Sequence, residues 1–167
     1  MRVLVTYGSK RGGTEGLAQW MAEGLRSAGC EVDLLPPRQV KNVDQFDAVV
    51  VGGALYYFHW HKAARRFVKH HAKELRRRPT YFFSSGPLDD SAGKGGIPPV
   101  KGVQALMDNV GAAGHMTFGG RLTPDAKGFP ASAMAKKNAG DWRDGEQVRA
   151  WAHAVATELR VRDLHHV

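Results

Sequence analysis

Ser9, Lys10, Arg11, Gly12, Gly13 and Thr14 place hydroxyls, cations and glycines between an apolar segment, Val3 to Tyr7, and an amphipathic one opening at Glu15-Gly16-Leu17-Ala18. Glycines turn tightly and leave no side chain between successive backbone amides and a ligand. A helix N-terminus aims its unbonded amides and its positive end at the same place. The chemistry is that of an anion cradle, to which Ser9 and Thr14 add hydroxyl donors and Lys10 and Arg11 add charge. Thr14 is also expected to cap the helix. Gly12-Gly13 lacks the G-x-G-x-x-G spacing of dinucleotide folds, and the chain has no G-x-x-x-x-G-K-[ST]. The plain alternative is an ordinary strand-to-helix turn.

The elements that position this loop alternate strand and helix. A helix from about Thr14 to Ala28 turns Leu17, Met21, Leu25 and Ala28 to one face and stops at Gly29. Strands are expected at Glu31 to Leu35, at Ala48 to Val51 ending in Gly52-Gly53, at Thr80 to Ser84, and at His115 to Phe118. Helices are expected from about His61 to Arg77, from Val100 to Val110, and from about Glu146 to Arg160 with Val148, Trp151, Ala152, Val155 and Leu159 inward. Alternation of this kind implies a single α/β domain with a parallel sheet covered by helices on both faces. Ligands in such sheets bind beyond the carboxyl ends of the strands.

The spacing Tyr7-x-Ser9-x-x-Gly12-x-Thr14-x-x-x-Ala18 resembles the FMN-phosphate signature of the flavodoxin family, with departures at Thr6 and Met21. The resemblance implies a flavodoxin-like, doubly wound five-stranded sheet of order 2-1-3-4-5, and FMN as cofactor. A deazaflavin, or no flavin, is the alternative. Tyr57-x-His59-Trp60-His61, then Phe67 to Ala72, and Gly140-Asp141-Trp142 resemble the menaquinone-dependent protoporphyrinogen dehydrogenases within that family. That likeness implies an oxidoreductase whose partners are a quinone or porphyrin-type small molecule. A non-catalytic electron carrier with a protein redox partner is the other reading. One stretch departs from that group: Arg121 to Trp142 is short and polar where those enzymes carry a long basic, apolar insertion.

Three loops then share one sheet edge. The first holds the phosphate donors Ser9, Lys10, Arg11, Gly12, Gly13 and Thr14. The second offers Ala54, Leu55, Tyr56, Tyr57 and Trp60 as surfaces for a flat ring, Tyr57 foremost for stacking. The third offers Ser84, Ser85, Gly86, Pro87 and Leu88 to the ring's polar edge. His59 lies in the second loop as a candidate proton donor. His61, His70 and His71 lack the carboxylate or thiol partners of a metal site, and His71 falls on an apolar stripe as a core residue.

The net charge of +8 is concentrated: Lys62, Arg65, Arg66, Lys69, Lys73, Arg76, Arg77 and Arg78 face one anion, Glu74, between positions 59 and 78. The stretch Lys62 to Arg78 reads as a solvated helix face or as a docking face for an acidic protein or membrane surface. No nucleic-acid motif accompanies it. Cys30 alone cannot make an internal disulfide. With no signal-peptide pattern or long apolar run, a cytoplasmic protein is expected, at most peripheral at a membrane.

Overall fold

The computed structural model describes residues 1–9, 12–56, 59–87, 89–94, 96–122 and 140–165. In chain order it forms β1 (Arg2–Gly8), α1 (Gly13–Ser27), β2 (Glu31–Leu34), β3 (Ala48–Tyr56), β4 (His59–Trp60), α2 (Lys62–His70), α3 (Ala72–Leu75), β5 (Thr80–Ser85), α4 (Lys101–Val110), β6 (Gly114–Phe118), β7 (Arg121–Leu122), β8 (Gly140–Asp141) and α5 (Gly145–Leu164). Five strands run parallel in the order β2-β1-β3-β5-β6, which is the expected 2-1-3-4-5 sheet when only the parallel strands are counted. Two features add to it. β4 folds back antiparallel on the end of β3, and β7 pairs with β8 in a separate ribbon.

Strand alternation divides the core. Val3, Val5, Val50, Tyr81 and Phe83 meet Leu17, Met21 and Leu25 of α1 and Val148, Val155 and Leu159 of α5 on one face. Leu4, Val49, Val51 and Phe82 meet Phe67, Val68, Leu75, Val103 and Leu106 on the other. Each such side chain, fully buried, contributes about 1.5–3 kcal/mol. Trp151 and Ala28, expected inward, are only partly buried at the rim of the first cluster.

β3 runs through Gly52-Gly53 to Tyr56 instead of stopping at the glycines. The reason is steric. A Cβ on Gly52 would collide with the Phe83 ring, and one on Gly53 would sit 2.6 Å from the Trp60 ring. The glycines therefore keep the strand bare where aromatic rings lie on its two faces. Ala54, Leu55 and Tyr56 are accordingly strand residues of a hairpin and not loop residues.

The helix expected from His61 to Arg77 is interrupted at His71, whose φ of −101° and ψ of 16° depart from helical values. His71 is buried there, its ring 4.7 Å from that of Phe67. Arg78 anchors the following turn by donating to the carbonyls of Val43 and Phe46 and to Asp44. It belongs to the scaffold, apart from the exposed cations.

Gly52→Ala is expected to destabilise the protein by about 1–3 kcal/mol, because the Phe83 ring is fully enclosed and cannot swing aside. Urea unfolding checks this; an unchanged midpoint would contradict the packing argument.

Candidate functional site

The parallel register brings the strand ends together: Gly8 pairs with Gly53, Gly53 with Ser84, Ala54 with Ser85, and Ser85 with Phe118. The three loops thus leave the sheet side by side, with Gly86 N–H donating to Phe118 O (3.0 Å) and Gly120 N–H to Pro87 O (3.0 Å). Lys10, Arg11, Tyr57 and Leu88 lie outside the described residues.

At the first loop, Gly12 is the N-cap of α1, with φ 75° in the left-handed region and no side-chain cap bond. This corrects the expectation for Thr14. It sits inside the first turn, because glycine adopts the left-handed turn more readily and so takes the cap position. Thr14 is 1% exposed, and its hydroxyl has no hydrogen-bond partner among the described residues. The first-turn amides of an α-helix likewise have no acceptor within the helix. A buried orphan hydroxyl beside such amides, on a cradle bare of side chains at Gly12 and Gly13, fits a phosphate.

At the second loop, Leu55 pairs with Trp60 and Tyr56 with His59. Ala54, Leu55 and Tyr56 are half-buried and His59 is exposed. Trp60 is 2% exposed, packs on Phe82 at 4.8 Å and donates from Nε1 to Ser84 Oγ at 2.9 Å. It lies beneath the loop as its floor and does not offer a ring face at its surface. Ser84 Oγ is also 3.0 Å from His115 Nε2. Since Trp60 can only donate, the Ser84 hydroxyl is free to donate to a neutral His115. Burial pushes His115 down to about 4, so neutrality is what the site favours.

At the third loop Ser85 is buried, while Gly86 and Pro87 are half-buried. The Leu55 side chain lies on Gly86, where a Cβ would come within 2.7 Å of it. The second and third loops are therefore in direct contact. His61, first considered for a metal, instead caps α2 by accepting from Ala63 N–H at Nδ1 (3.1 Å), and packs over Gly8. No group of three or more metal-ligating side chains occurs among the described residues.

A fourth segment joins the site. β7 lies against the first turn of α1, with Arg121 Cβ 3.6 Å from the place a Cβ would take on Gly13. Arg143 donates to both oxygens of Asp141 (2.9 and 2.8 Å) and lies 5.2 Å over the Trp20 ring. It needs Gly16 bare, because a Cβ there would collide with its Nη1. Hydrogen bonding from Arg143 holds Asp141 below the usual carboxylate range. Arg121 and Arg143 line a cavity of about 370 Å³ with Gly12, Glu15, Gly16, Gln19 and Trp20. Sequence reasoning missed Arg121, Arg143 and His115 as site residues. The signal for Arg121 was its position just past Gly119-Gly120, at the end of a strand that reaches the same edge.

The flavodoxin domain model matches residues 4–134. The chain belongs to the flavodoxin domain family. That membership implies FMN as its cofactor, and the phosphate cradle accords with it. The chain is similar to "Protoporphyrinogen IX dehydrogenase [quinone]" of Escherichia coli strain K12 and of Escherichia coli O157:H7, 30% identical over 86 residues. The match covers 50% of this chain and spans only about half, 48%, of those relatives. Among solved structures, a flavodoxin from the domain Archaea superposes with a TM-score of 0.67 at 16% identity, covering 96% of this chain and 99% of that one. Oxidised Flavodoxin 1 from Bacillus cereus gives 0.60 at 15% identity, with 95% and 98% covered. Identities so low speak to the fold alone.

The flavin supplies the capacity to take up and release electrons, and the protein supplies binding, orientation and field. Thr14 and the glycine loop would hold the phosphate. Tyr56, Leu55 and the Gly86-Pro87 turn would flank the ring, while Trp60 and Ser84 fix the hairpin from below. Among the described residues no helix is long and apolar enough to cross a membrane.

The His115 environment predicts a pH effect on stability. Its folded value, about 4, is below the ordinary 6.5, so between those limits the unfolded chain takes up a proton that the folded one refuses. Stability is full above about 6.5 and declines as the pH falls towards about 4. His71, lowered by burial and by His70, acts in the same direction. His115→Gln should flatten the decline in denaturant unfolding between these pH values, and an identical slope in the variant would refute the assignment.

Proposed function

We propose that this protein is an FMN-dependent oxidoreductase that passes electrons from a reduced, porphyrin-type small molecule to a quinone. The observation that carries the reading is the meeting at one edge of a phosphate cradle, an aromatic hairpin and an exposed histidine. Support for the substrate class comes from the likeness to protoporphyrinogen IX dehydrogenase over half the chain. His59 stands at the start of β4, paired with Tyr56, where its ring is open to an approaching substrate. It serves as the proton-transferring group beside the ring.

The test is direct. The purified FMN-loaded protein is assayed with protoporphyrinogen and a soluble quinone. His59→Ala is expected to slow turnover by about 100-fold, the usual scale for a general acid–base group, with FMN still bound. Unchanged turnover would remove His59 from the mechanism. Absence of any turnover by a yellow, FMN-loaded wild type would instead favour the electron carrier.

The basic helix supports a docking role in either case. Lys62, Arg66, Lys69, Lys73 and Arg77 are exposed, recur at spacings of four, three, four and four along α2, α3 and the turn that follows, and make no ion pair among the described residues. This stripe serves as the face for an acidic protein or an acidic membrane surface in the cytoplasm. Lys69→Glu with Lys73→Glu should abolish salt-sensitive binding to anionic vesicles or to an acidic redox protein. Equal binding by the variant would exclude the stripe.

A further inference from the structure

Arg121 carries a charge with no anion in contact among the described residues. It makes no ion pair there, and its Nε is buried without a hydrogen-bond partner. Neither nearby carboxylate pairs with it. Asp141, its partner across the β7–β8 ribbon, is gripped on both oxygens by Arg143, and Arg121 acts on it only through space. Glu15, which is exposed and lines the same cavity, makes no ion pair with Arg121 either. Withdrawing part of a guanidinium from water without an anion is costly.

The direction of the side chain says where the anion belongs. Arg121 Nη2 lies 3.4 Å from the place a Cβ would occupy on Gly12, the left-handed cap of α1, and the Arg121 backbone packs on Gly13. Among the described residues, Arg121 Nη2 is the one neighbour within 4 Å of that place on the helix cap. The second unsatisfied group there is the Thr14 hydroxyl, buried and without a partner among the described residues.

We propose that Arg121 is a ligand of the cofactor phosphate, closing from the far side the cradle made by Gly12, Gly13 and Thr14 and so selecting phosphorylated flavin over riboflavin. The proposal rests on FMN as the cofactor. It gives the cradle a cation from the β7–β8 ribbon. A planar fork with five donors suits a phosphate better than an ammonium does.

The experiment titrates the apoprotein with FMN and with riboflavin, following flavin fluorescence at several salt concentrations. Arg121→Met, which keeps the packing stem, should weaken FMN by about 10-fold to 100-fold, leave riboflavin unchanged and reduce the salt dependence of FMN binding. Arg121→Lys should give a smaller loss, again confined to FMN. FMN binding that is unchanged in both variants, or weakened equally with riboflavin, would overturn the proposal. If the methionine variant does not fold, as judged by circular dichroism, the lysine variant decides on the same criterion. A wild type that binds neither flavin would defeat the cofactor reading itself, a different result from one in which only the variants keep their affinity. The double variant Lys10→Met with Arg11→Met separates the loop cations from Arg121.

Discussion

The close approach of two aromatic rings to bare backbone in β3 is the constraint on which the site depends. Phe83 covers Gly52 on one face of the sheet and Trp60 covers Gly53 on the other. No residue with a Cβ fits under either ring without displacing it. Because Gly53 is bonded in register between Gly8 and Ser84, this one stretch fixes the heights of three strand ends. The indole that covers Gly53 also reaches Ser84, and through it His115, so that the floor of the hairpin is tied to β5 and β6. The interior packing and the placing of the cofactor loops are therefore the same set of contacts.

A second organising theme is how the fold uses its arginines. Arg78 and Arg143 are consumed by structure, one on carbonyls and Asp44, the other on Asp141 and the Trp20 ring. Each is largely withdrawn from solvent and well provided with acceptors, which is the condition for a buried guanidinium to cost little. Arg121 is the contrast: it lines the same cavity as Arg143, yet has no anion in contact among the described residues. Formal charge alone does not distinguish the three. Their hydrogen-bond partners do.

Much of this was legible in the letters, and the limits have physical causes. The turn from β1 into α1 could be read because glycine and hydroxyl types at one strand end have few structural purposes, and Gly12 does cap α1 with Gly13 and Thr14 in its first turn. The parallel order followed from alternation of elements, and the burial of His71 followed from its place on an apolar stripe. Gly52-Gly53 was misread as a strand end because a glycine pair is a turn signal locally, and only the register shows that rings lie on it. Trp60 looked like a surface for the flavin because its loop was placed correctly, whereas its direction depends on the antiparallel return of β4. The links from Arg121 to Gly12 and from His115 to Ser84 span too many residues for any local pattern to carry.

The N-terminus of α2 shows how folding preference and the proposed docking face are related. α1 has Glu15 in its first turn, and α5 has Asp144 as its cap with Glu146 following, both as the helix dipole favours. α2 has no acidic residue there and begins with Lys62, Arg65 and Arg66. Each cation at a positive helix end forgoes about 0.3–1 kcal/mol that an acidic residue would contribute. Departures from local preference of this kind are characteristic of functional positions. The position is also the relevant one, since the cap of α2, His61, packs over Gly8 at the strand end from which the phosphate loop leaves. An anionic partner drawn to the proposed stripe would meet the strongest field at this end, where the helix terminus and the side-chain cations add, instead of at Arg77 beyond α3.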